Sequence, residues 1–427
     1  MDYRPRIVDE ELDLSMRTLG AVQIKGPKGC GKTTTAKQKA KSVIEFQDEE
    51  LRDNYLRIAE DRPSLLLRGE KPILFDEWQD APKIWGAIRK DVDDTGLCGQ
   101  YLLTGSSSKK VATPHTGTLR IASMVMRPMS LFESGESDGT ASLRKLFQKG
   151  YDDDVLWASK TDFDGLVFSI CRGGWPRALN LKERGPQLNV ARQLFRQTCE
   201  SDVSAIDGVK RDPTLVASIL RSYSRNLCQL ADKKTIFDDV STERSLSYTT
   251  FDEYVSALER LYIIDDVDAW NPSIRSKTAI RSSKRRNLVD PSVAVAAMGL
   301  SPEYFDRDFN TLGFLFESLV MRDLRVYSAG VGGSLSYYHD RYDLEADAVL
   351  HLGDGRYALI EVKLGQRGID DGVKNLNKIE SLVEEYNAEE KGPKLRLPDL
   401  KMVITGTEMG YVRDDGIAIV PVGCLRD

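Results

Sequence analysis

Three short apolar segments in the first 105 residues each end in glycine, acidic or hydroxyl residues. They cover residues 19–25, 71–76 and 99–104, and each is long enough for a buried β-strand but short for a helix. The segment 34–46 lacks Gly and Pro and contains good helix formers, so a helix is expected there. Strands alternating with a helix in this way predict an α/β domain.

Between about residues 185 and 300 the apolar residues recur at spacings of three and four. Residues 190–197 and 214–223 show this pattern, which predicts amphipathic helices. Thr250–Glu253 has the sequence of a capping box and predicts a helix that runs to Leu261, and the pattern of residues 262–270 predicts a strand. A helix followed by a strand suggests a winged-helix unit. Such a unit either docks on nucleic acid or connects domains, and the sequence leaves both uses open.

The last part of the chain combines a helical stretch with two strands. Residues 314–321 fit a helix, residues 344–350 and 357–364 fit strands, and Gly353-Asp-Gly355 fits the turn between them. At 427 residues and roughly 150 residues per domain, about three domains are expected. The boundaries that these patterns predict are 1–185, 186–300 and 301–427.

Composition indicates an ordinary globular protein, with 41% apolar and 30% charged residues. The longest uninterrupted apolar stretch, around Val293–Met298, is far too short to cross a bilayer, and no signal peptide opens the chain. A cytoplasmic protein with no membrane segment is therefore predicted. The six cysteines are scattered singly, which indicates reduced thiols and no zinc site. The net charge of -6 argues against a generally basic surface but leaves room for a local nucleic-acid groove.

The first strand runs directly into a complete GxxxxGKT motif. Its glycines let successive backbone N–H groups point at phosphates, Lys32 would reach the β and γ oxygens, and the Thr33 hydroxyl would bind Mg²⁺. A helix that begins at this loop favours phosphate at its N-terminus. The residues predicted to bind nucleotide here are Gly26, Pro27, Lys28, Gly29, Cys30, Gly31, Lys32, Thr33 and Thr34.

The second apolar strand ends in the acidic pair Asp76-Glu77. Asp76 could hold Mg²⁺ opposite Thr33, and Glu77 could polarise the attacking water, which predicts hydrolysis and not binding alone. The alternative is a pair of solvated acids. The third strand ends at Thr104, and either Thr104 or Ser106 could orient the water. Because no NKxD guanine-reading tetrad is present, ATP is favoured over GTP.

Several motifs together resemble a known family: prokaryotic AAA-type ATP-binding proteins with a C-terminal domain of unknown function that looks like a PD-(D/E)XK nuclease. The resemblance covers nearly the whole chain. The motifs that carry it are Gly26–Thr33, Leu74–Trp85 with Ile88-Arg89, Leu103–Ser106, Arg127–Ser134 and Arg172–Pro176.

The resemblance implies a multidomain α/β fold. Its parts would be an AAA-like P-loop domain, a helical or winged-helix middle domain and a restriction-endonuclease-like C-terminal domain. It also implies a role for Trp78-Gln79 and Gly174-Trp-Pro, for which the residues themselves indicate mainly packing. Arg120 and Arg127 follow the third strand and could bring positive charge to a γ-phosphate from the same or a neighbouring subunit, although surface salt bridges explain them equally well.

A basic segment, residues 275–286, places six cations in twelve residues with no acid. In an acidic protein this contrast suggests contacts to the DNA backbone, and the candidates are Arg281, Lys284, Arg285 and Arg286. A solvated basic loop, or a contact to an acidic face of the protein itself, is the alternative.

Four residues form the candidate C-terminal catalytic site: Glu317, Asp347, Glu361 and Lys363. Glu361 and Lys363 are two apart in a strand and so share one face. Asp347 and Glu361 could bind Mg²⁺, Lys363 could stabilise the attacking hydroxide, and Glu317 would approach from a helix. A structural salt bridge of Lys363 with Asp347 or Glu361 is the alternative, and it predicts no metal.

These features predict an ATP-hydrolysing protein that acts on or with DNA and that uses Mg²⁺ for nuclease chemistry in its C-terminal domain. The alternative is an ATP-driven regulatory switch whose C-terminal domain binds a protein partner without catalysis. The AAA resemblance also suggests a homo-oligomer.

Overall fold

A computed structural model describes residues 3–105, 117–151, 154–242, 245–272, 283–389 and 392–427. Two candidates from the sequence, Ser106 and Arg281, lie outside these residues. The prediction of a multidomain α/β protein with a P-loop domain at its N-terminal end is confirmed, because the GxxxxGKT motif follows a strand of a parallel sheet and a second large sheet lies near the end of the chain.

The N-terminal sheet has five parallel strands in the order β2-β3-β4-β1-β5. Its elements are α1 (Val8–Thr18), β1 (Ala21–Lys25), α2 (Lys32–Lys37), β2 (Ser42–Glu45), α3 (Arg52–Asp61), β3 (Ile73–Asp76), α4 (Lys83–Thr95), β4 (Tyr101–Thr104) and β5 (Ile121–Val125). In the register of the sheet, Thr104 lies beside Ile24 on one side and Asp76 on the other. The carboxyl ends of β1, β4 and β3 therefore meet at one edge, where ligands bind in open α/β sheets.

The helix predicted over residues 34–46 is wrong beyond its first turn. α2 ends at Lys37, and Ser42–Glu45 form the edge strand β2. The β-branched pair Val43-Ile44 fits a pleated sheet better than a helix, and pairing with β3 supplies hydrogen bonds that an isolated segment lacks. Tertiary pairing overrode the helix propensity of the neighbouring lysines.

The middle of the chain is mostly helical. Its elements are α5 (Leu131–Ser134), β6 (Ala141–Ser142), α6 (Leu143–Phe147), β7 (Leu156–Ala158), α7 (Phe163–Arg172), α8 (Pro176–Leu179), α9 (Arg184–Gln197), α10 (Val203–Ala205), α11 (Pro213–Arg225), α12 (Lys233–Ser241), α13 (Tyr248–Arg260) and α14 (Pro291–Met298). The helices predicted over 190–197 and 214–223 lie within α9 and α11.

Two details of the middle segment differ from the predictions. α13 begins three residues earlier than expected, because the Ser247 hydroxyl, and not Thr250, accepts from the backbone N–H at its N-terminus. Residues 262–270 form isolated bridges, with Ile264 opposite Leu288 and Val267 opposite Arg285, instead of a regular strand. The winged-helix assignment therefore stays a prediction.

The C-terminal sheet has seven strands in the order β7-β12-β13-β11-β10-β9-β8. Its elements are α15 (Phe309–Gly330), β8 (Gly333–His339), β9 (Glu345–Leu352), β10 (Tyr357–Lys363), α16 (Ile369–Ala388), β11 (Leu400–Thr405), β12 (Met409–Val412) and β13 (Ala418–Pro421), followed by β14 (Leu425–Arg426), which pairs with β6. β7 belongs to the predicted unit 1–185 but pairs with β12. The seven-stranded sheet therefore contains strands from both sides of the predicted boundary at residue 185, because the C-terminal strand β12 lies beside β7.

Within the described parts of the chain, buried apolar side chains form four clusters, two on the faces of the N-terminal sheet and two in the remainder. The largest joins the middle helices to α15 and one face of the C-terminal sheet, so these parts share a core. Among the described residues, no helix combines the length and the apolar character that a membrane crossing requires.

Candidate functional site

The GxxxxGKT loop connects β1 to α2 and is packed tightly against the end of β5. Gly26 has φ 143°, and a Cβ at this position would lie 2.0 Å from the carbonyl oxygen of Met126. Only glycine fits this approach. Gly31, with φ 107°, precedes the first residue of α2 and likewise requires a left-handed backbone. The glycines of the motif thus serve the backbone path that the sequence predicted for them.

Lys32 is buried at the first position of α2 and folds back over the loop. Its Nζ donates to the carbonyl oxygens of Gly26 at 3.0 Å and Pro27 at 2.8 Å. These two acceptors hold a buried ammonium group that would otherwise lose its hydration without compensation. The ammonium group therefore lies inside the curve of the loop, where the motif predicts that phosphate oxygens bind.

Asp76 lies at the centre of the sheet edge. Its Oδ1 accepts from the Thr33 hydroxyl at 2.7 Å, and the Thr104 hydroxyl also donates to it. Three separate elements, α2, β3 and β4, supply these side chains, and the parallel sheet brings their ends together. A carboxylate with two hydroxyl groups forms a compact set of hard oxygen donors, the type of ligand that Mg²⁺ prefers.

Glu77 follows Asp76 and adopts a left-handed backbone, with φ 52°. Such a conformation is strained for a residue with a side chain and is common at functional sites. The side-chain amide of Gln79 donates to Glu77 Oε2. Packing was expected for both Trp78 and Gln79. Trp78 does pack, with its ring centroid 5.0 Å from that of Trp85, but Gln79 makes a polar contact to the acidic residue, which the sequence reasoning missed.

The N-terminal segment supplies a clamp that no sequence pattern indicated. The buried Arg6 guanidinium donates to the carbonyl oxygens of Cys30 at 2.9 Å and Arg127 at 2.8 Å, and it lies 3.1 Å from Glu133. The Tyr3 hydroxyl lies 3.1 Å from that of Thr35 on α2. Arg6 and Tyr3 therefore tie the start of the chain to the C-terminal part of the phosphate-binding loop and to the helix that follows it.

A cavity of about 100 Å³ lies beside α2 and the N-terminal segment. Its lining residues are Tyr3, Arg4, Arg6, Gly31, Thr34, Thr35, Met129, Pro176 and Asn180. Pro176 belongs to the Gly174-Trp-Pro motif, which a close packing contact holds in place. A Cβ at Gly174 would lie 2.0 Å from the Met129 carbonyl oxygen, and the Trp175 indole N–H donates to the Ser292 hydroxyl at 2.9 Å.

Neither arginine that follows the third strand contacts the phosphate-binding loop through its side chain in the described hydrogen bonds and ion pairs. Arg127 donates to Asp265 at 3.0 Å, and Arg120 donates to Asp93 on α4 at 2.7 Å. The alternative considered for them, a salt bridge, is what the structure contains. A further link from the loop is made by Lys28, which lies 3.3 Å from Asp202 in the middle segment.

The described end of the basic segment is not a phosphate-binding surface, and the expectation for Arg285 and Arg286 is wrong. Both side chains are buried, Arg285 among carboxylates of the C-terminal domain and Arg286 against Asp266. Lys284 alone of this described group is largely exposed, and it pairs with Asp268 at 3.0 Å. The alternative prediction, a contact of the basic segment with acidic residues of the protein itself, is correct for these residues. A buried guanidinium group is stable when carboxylates compensate its charge.

The four residues of the predicted C-terminal site do converge. Glu317 on α15, Asp347 on β9, and Glu361 and Lys363 on β10 surround one point, and the Lys363 ammonium lies 3.7 Å from Asp347 and also pairs with Glu361. Asp347 Oδ2 accepts from the backbone N–H of Val362 at 2.8 Å. The antiparallel pairing of β9 with β10 produces this convergence.

Arg285 enters the same cluster from the middle segment. Its guanidinium lies 3.0 Å from Glu317, 3.2 Å from Asp347 and 3.3 Å from Glu345. Among the described residues, no group of three or more His, Cys, Asp or Glu side chains is arranged to hold a metal ion. In this arrangement Asp347 and Glu361 are salt-bridge partners, the alternative that the sequence left open for them.

Burial dominates the protonation of this cluster. It raises the pKa of Glu317 well above its usual value, and the neighbouring Asp347 charge adds to the shift. The pKa of Glu361 is raised to about 8 by burial and by Asp347. Burial lowers the pKa of Lys363, but the charges of Asp347 and Glu361 outweigh it, so the net shift is upward. The cluster therefore keeps its cations charged while it favours protons on some of its carboxyl groups.

Comparison with known families places an AAA domain at residues 20–134. Residues 164–304 match a domain of unknown function, DUF8612, and residues 312–425 match another domain of unknown function, DUF4143. None of the curated proteins matches this chain. Together with the site geometry, the AAA match shows that the N-terminal part is an AAA-type P-loop ATPase domain.

Solved structures with some likeness include a Walker-type ATPase of Pyrococcus abyssi, with 12% identity and a TM-score of 0.42 over 70% of this chain and 99% of that one. A STAND protein with a tetratricopeptide repeat sensor from Pyrococcus horikoshii has 12% identity and a TM-score of 0.25, over 77% of this chain and 48% of that one. Drosophila ORC bound to DNA has 15% identity and a TM-score of 0.20, over 68% and 84%.

Proposed function

We propose that this ATPase binds ATP with Mg²⁺ at the phosphate-binding loop and hydrolyses it with Glu77 as the base. The observation that carries the proposal is the meeting of Thr33, Asp76 and Thr104 at one edge of the sheet, beside Lys32 and Glu77. When bound, Mg²⁺ would supply positive charge that withdraws electron density from the terminal phosphate. Thr33 and Asp76 are the oxygen donors that would hold it.

The remaining residues have separate tasks in this proposal. Lys32 exchanges its two carbonyl partners for phosphate oxygens, so binding costs it no unpaired charge. Glu77 accepts the proton of the attacking water, and Thr104 orients Asp76 through its hydroxyl group. The cavity of about 100 Å³ beside Thr34 and Pro176 would receive the adenine ring of ATP, since it opens next to the phosphate-binding loop.

Measurement of phosphate release tests this proposal. We expect Lys32→Ala to lower kcat/KM for ATP by about 100-fold or more, and Glu77→Gln to lower kcat by about the same factor while ATP still binds. Lys37→Ala is the matched control, because Lys37 lies on the same helix but pairs with Glu45 at the surface. Unchanged turnover in Lys32→Ala would overturn the proposal.

For the C-terminal domain, the convergence of Glu317, Asp347, Glu361 and Lys363 favours Mg²⁺-dependent cleavage of DNA as a second candidate function. A groove of about 660 Å³ opens on Glu317 and Lys363, so a substrate can reach them. Asp347 and Glu361 would hold the ion, and Lys363 would stabilise developing negative charge. Cleavage of plasmid DNA that disappears in Lys363→Ala would support this function, and no cleavage under any ATP or Mn²⁺ condition would contradict it.

The pairing of these carboxylates with Arg285 and Lys363 favours the other candidate, a regulatory switch in which ATP changes domain packing and the C-terminal domain binds a protein partner. Under this function, ATP alters protease sensitivity in the middle segment while DNA leaves turnover unchanged. Assembly into a homo-oligomer, with Arg120 of one copy acting on another, is part of the same proposal, and sedimentation with and without ATP tests it.

A further inference from the structure

The Arg285 side chain lies in the C-terminal acidic cluster, which consists of Glu317, Glu345, Asp347 and Glu361, and several hydrogen bonds and ion pairs hold it there. Its Nε donates to the Cys228 carbonyl oxygen at 2.7 Å, and one terminal nitrogen donates to the Asp347 carbonyl oxygen at 3.0 Å. Both terminal nitrogens also reach carboxylates, those of Glu317, Glu345 and Asp347. The side chain is only 6% exposed. A cation of this protein thus fills the space among three carboxylates.

Among the described residues, the cluster nevertheless contains more carboxyl groups than cations. Four carboxylates, those of Glu317, Glu345, Asp347 and Glu361, face the two cations Arg285 and Lys363. Two buried oxygens, Glu317 Oε1 and Glu361 Oε2, meet a cation but receive no hydrogen bond of good geometry. Buried carboxylate oxygens with incomplete partners favour a further or a more highly charged cation.

We propose that Arg285 is an internal cation that occupies the acidic cluster and excludes divalent cations from it until the segment that carries it moves. This regulation deepens the proposed nuclease function of the same site and rests on it for its biological purpose. Exchange of one guanidinium for one divalent ion raises the positive charge in the cluster by one and leaves Asp347 and Glu361 as oxygen donors.

The position of Arg285 suits such an exchange. It belongs to an extended segment that pairs antiparallel with residues 263–267, with Leu288 opposite Ile264 and Arg285 opposite Val267. Two residues before Val267, Asp265 is bound by Arg127 of the ATPase domain. The groove that ends at Glu317 and Lys363 gives an ion from solvent a path to the cluster.

Binding of Mn²⁺ to the full-length protein without nucleotide, measured by calorimetry and by electron paramagnetic resonance of free Mn²⁺, tests the proposal. We expect Arg285→Met to gain one site per chain with an affinity at least tenfold above that of any C-terminal site in the wild type. Adding Asp347→Asn to Arg285→Met should remove the gain. Arg286→Met is the matched control, since it also removes a buried arginine of the same segment but not one in the cluster, and it should gain no site.

If Arg285→Met does not fold, Arg285→Lys decides, because a lysine keeps the charge but cannot span three carboxylates, and an intermediate gain is expected. A folded Arg285→Met or Arg285→Lys that binds Mn²⁺ no better than the wild type overturns the proposal. A gain of the site without DNA cleavage in any variant supports the exclusion of cations by Arg285 and contradicts the nuclease function instead. Any Mn²⁺ that binds at the phosphate-binding loop binds equally in all variants, so its contribution cancels when the variants are compared.

Discussion

Arg127, which follows the last strand of the N-terminal sheet, donates to both carboxylate oxygens of Asp265, at 3.0 and 3.3 Å. Arg325 on α15 lies 3.2 Å from the same carboxylate. The backbone carbonyl of Arg127 accepts from Arg6, which also contacts the phosphate-binding loop at Cys30. The ion-pair cluster of Arg127, Asp265 and Arg325 therefore joins the ATPase domain, the middle segment and α15, and Arg6 connects it to the phosphate-binding loop.

We predict that Arg127→Met lowers the free energy of unfolding by about 2–3 kcal/mol, because it leaves Asp265 with one partner. ATP turnover per folded molecule should change by less than tenfold, since the Arg127 side chain is committed to Asp265. Denaturant unfolding and phosphate release check both parts. Arg120→Met, which removes a more exposed pair with Asp93, should cost less stability. A loss of turnover beyond 100-fold in folded Arg127→Met would instead assign Arg127 to the reaction.

The stability that Asp265 contributes should depend on pH in the acid range. Burial would raise the pKa of Asp265, but the charges of Arg127 and Arg325 outweigh it and lower this pKa from 3.8 to about 2. A carboxyl group with a lowered pKa stabilises the fold above its unfolded pKa, and this stabilisation is lost as the pH falls through the folded value.

The difference in unfolding free energy between the wild type and Asp265→Asn should therefore stay constant from pH 7 to about pH 4 and shrink below it. Its size at neutral pH is expected to be about 2 kcal/mol. Urea unfolding at a series of pH values measures it. A difference that grows on acidification would show that the ionised carboxylate does not stabilise the fold.

Gln79 should matter for catalysis although it lies outside the phosphate-binding loop. Its amide donates to Glu77, whose backbone is already in a strained conformation. We expect Gln79→Ala to lower kcat by about tenfold with little change in KM, because the carboxylate loses its orientation while the nucleotide contacts remain. Gln47→Ala is the matched control, since Gln47 is exposed and its side chain contacts Asp80 at the surface. Equal kcat values for the wild type and Gln79→Ala would contradict this role.

The removal of two nearby cations, Lys284 and Arg286, should change stability to very different extents. Arg286→Met leaves Asp266 buried without its arginine and should cost about 3–5 kcal/mol. Lys284→Met removes a solvent-exposed pair with Asp268 and should change stability by less than about 0.5 kcal/mol. Thermal unfolding of the two variants compares them directly. Similar costs for both would mean that Arg286 is not buried in solution.

The sequence predicted side chains that do meet at one edge of the N-terminal sheet, because these residues are close in the chain or end consecutive strands. Lys32 and Thr33 belong to one continuous motif, and Asp76 and Thr104 end apolar strands that the hydrophobic pattern reveals. The predicted convergence of Asp347, Glu361 and Lys363 succeeded for a similar reason, since a short hairpin determines their relative positions. Arg6 escaped prediction because nothing in its neighbourhood distinguishes it from an exposed arginine.

By itself, then, the sequence determined the phosphate-binding loop, the main strands around it and the acidic side chains at their ends, because backbone geometry and burial periodicity are local properties. Only the tertiary structure decided which partner each buried charge has. The sequence predicts that Arg285 belongs to a basic surface segment, yet its side chain lies among carboxylates of β9 and α15. A buried cation must find compensating charge, and long-range packing, not its sequence neighbours, determines where that charge lies.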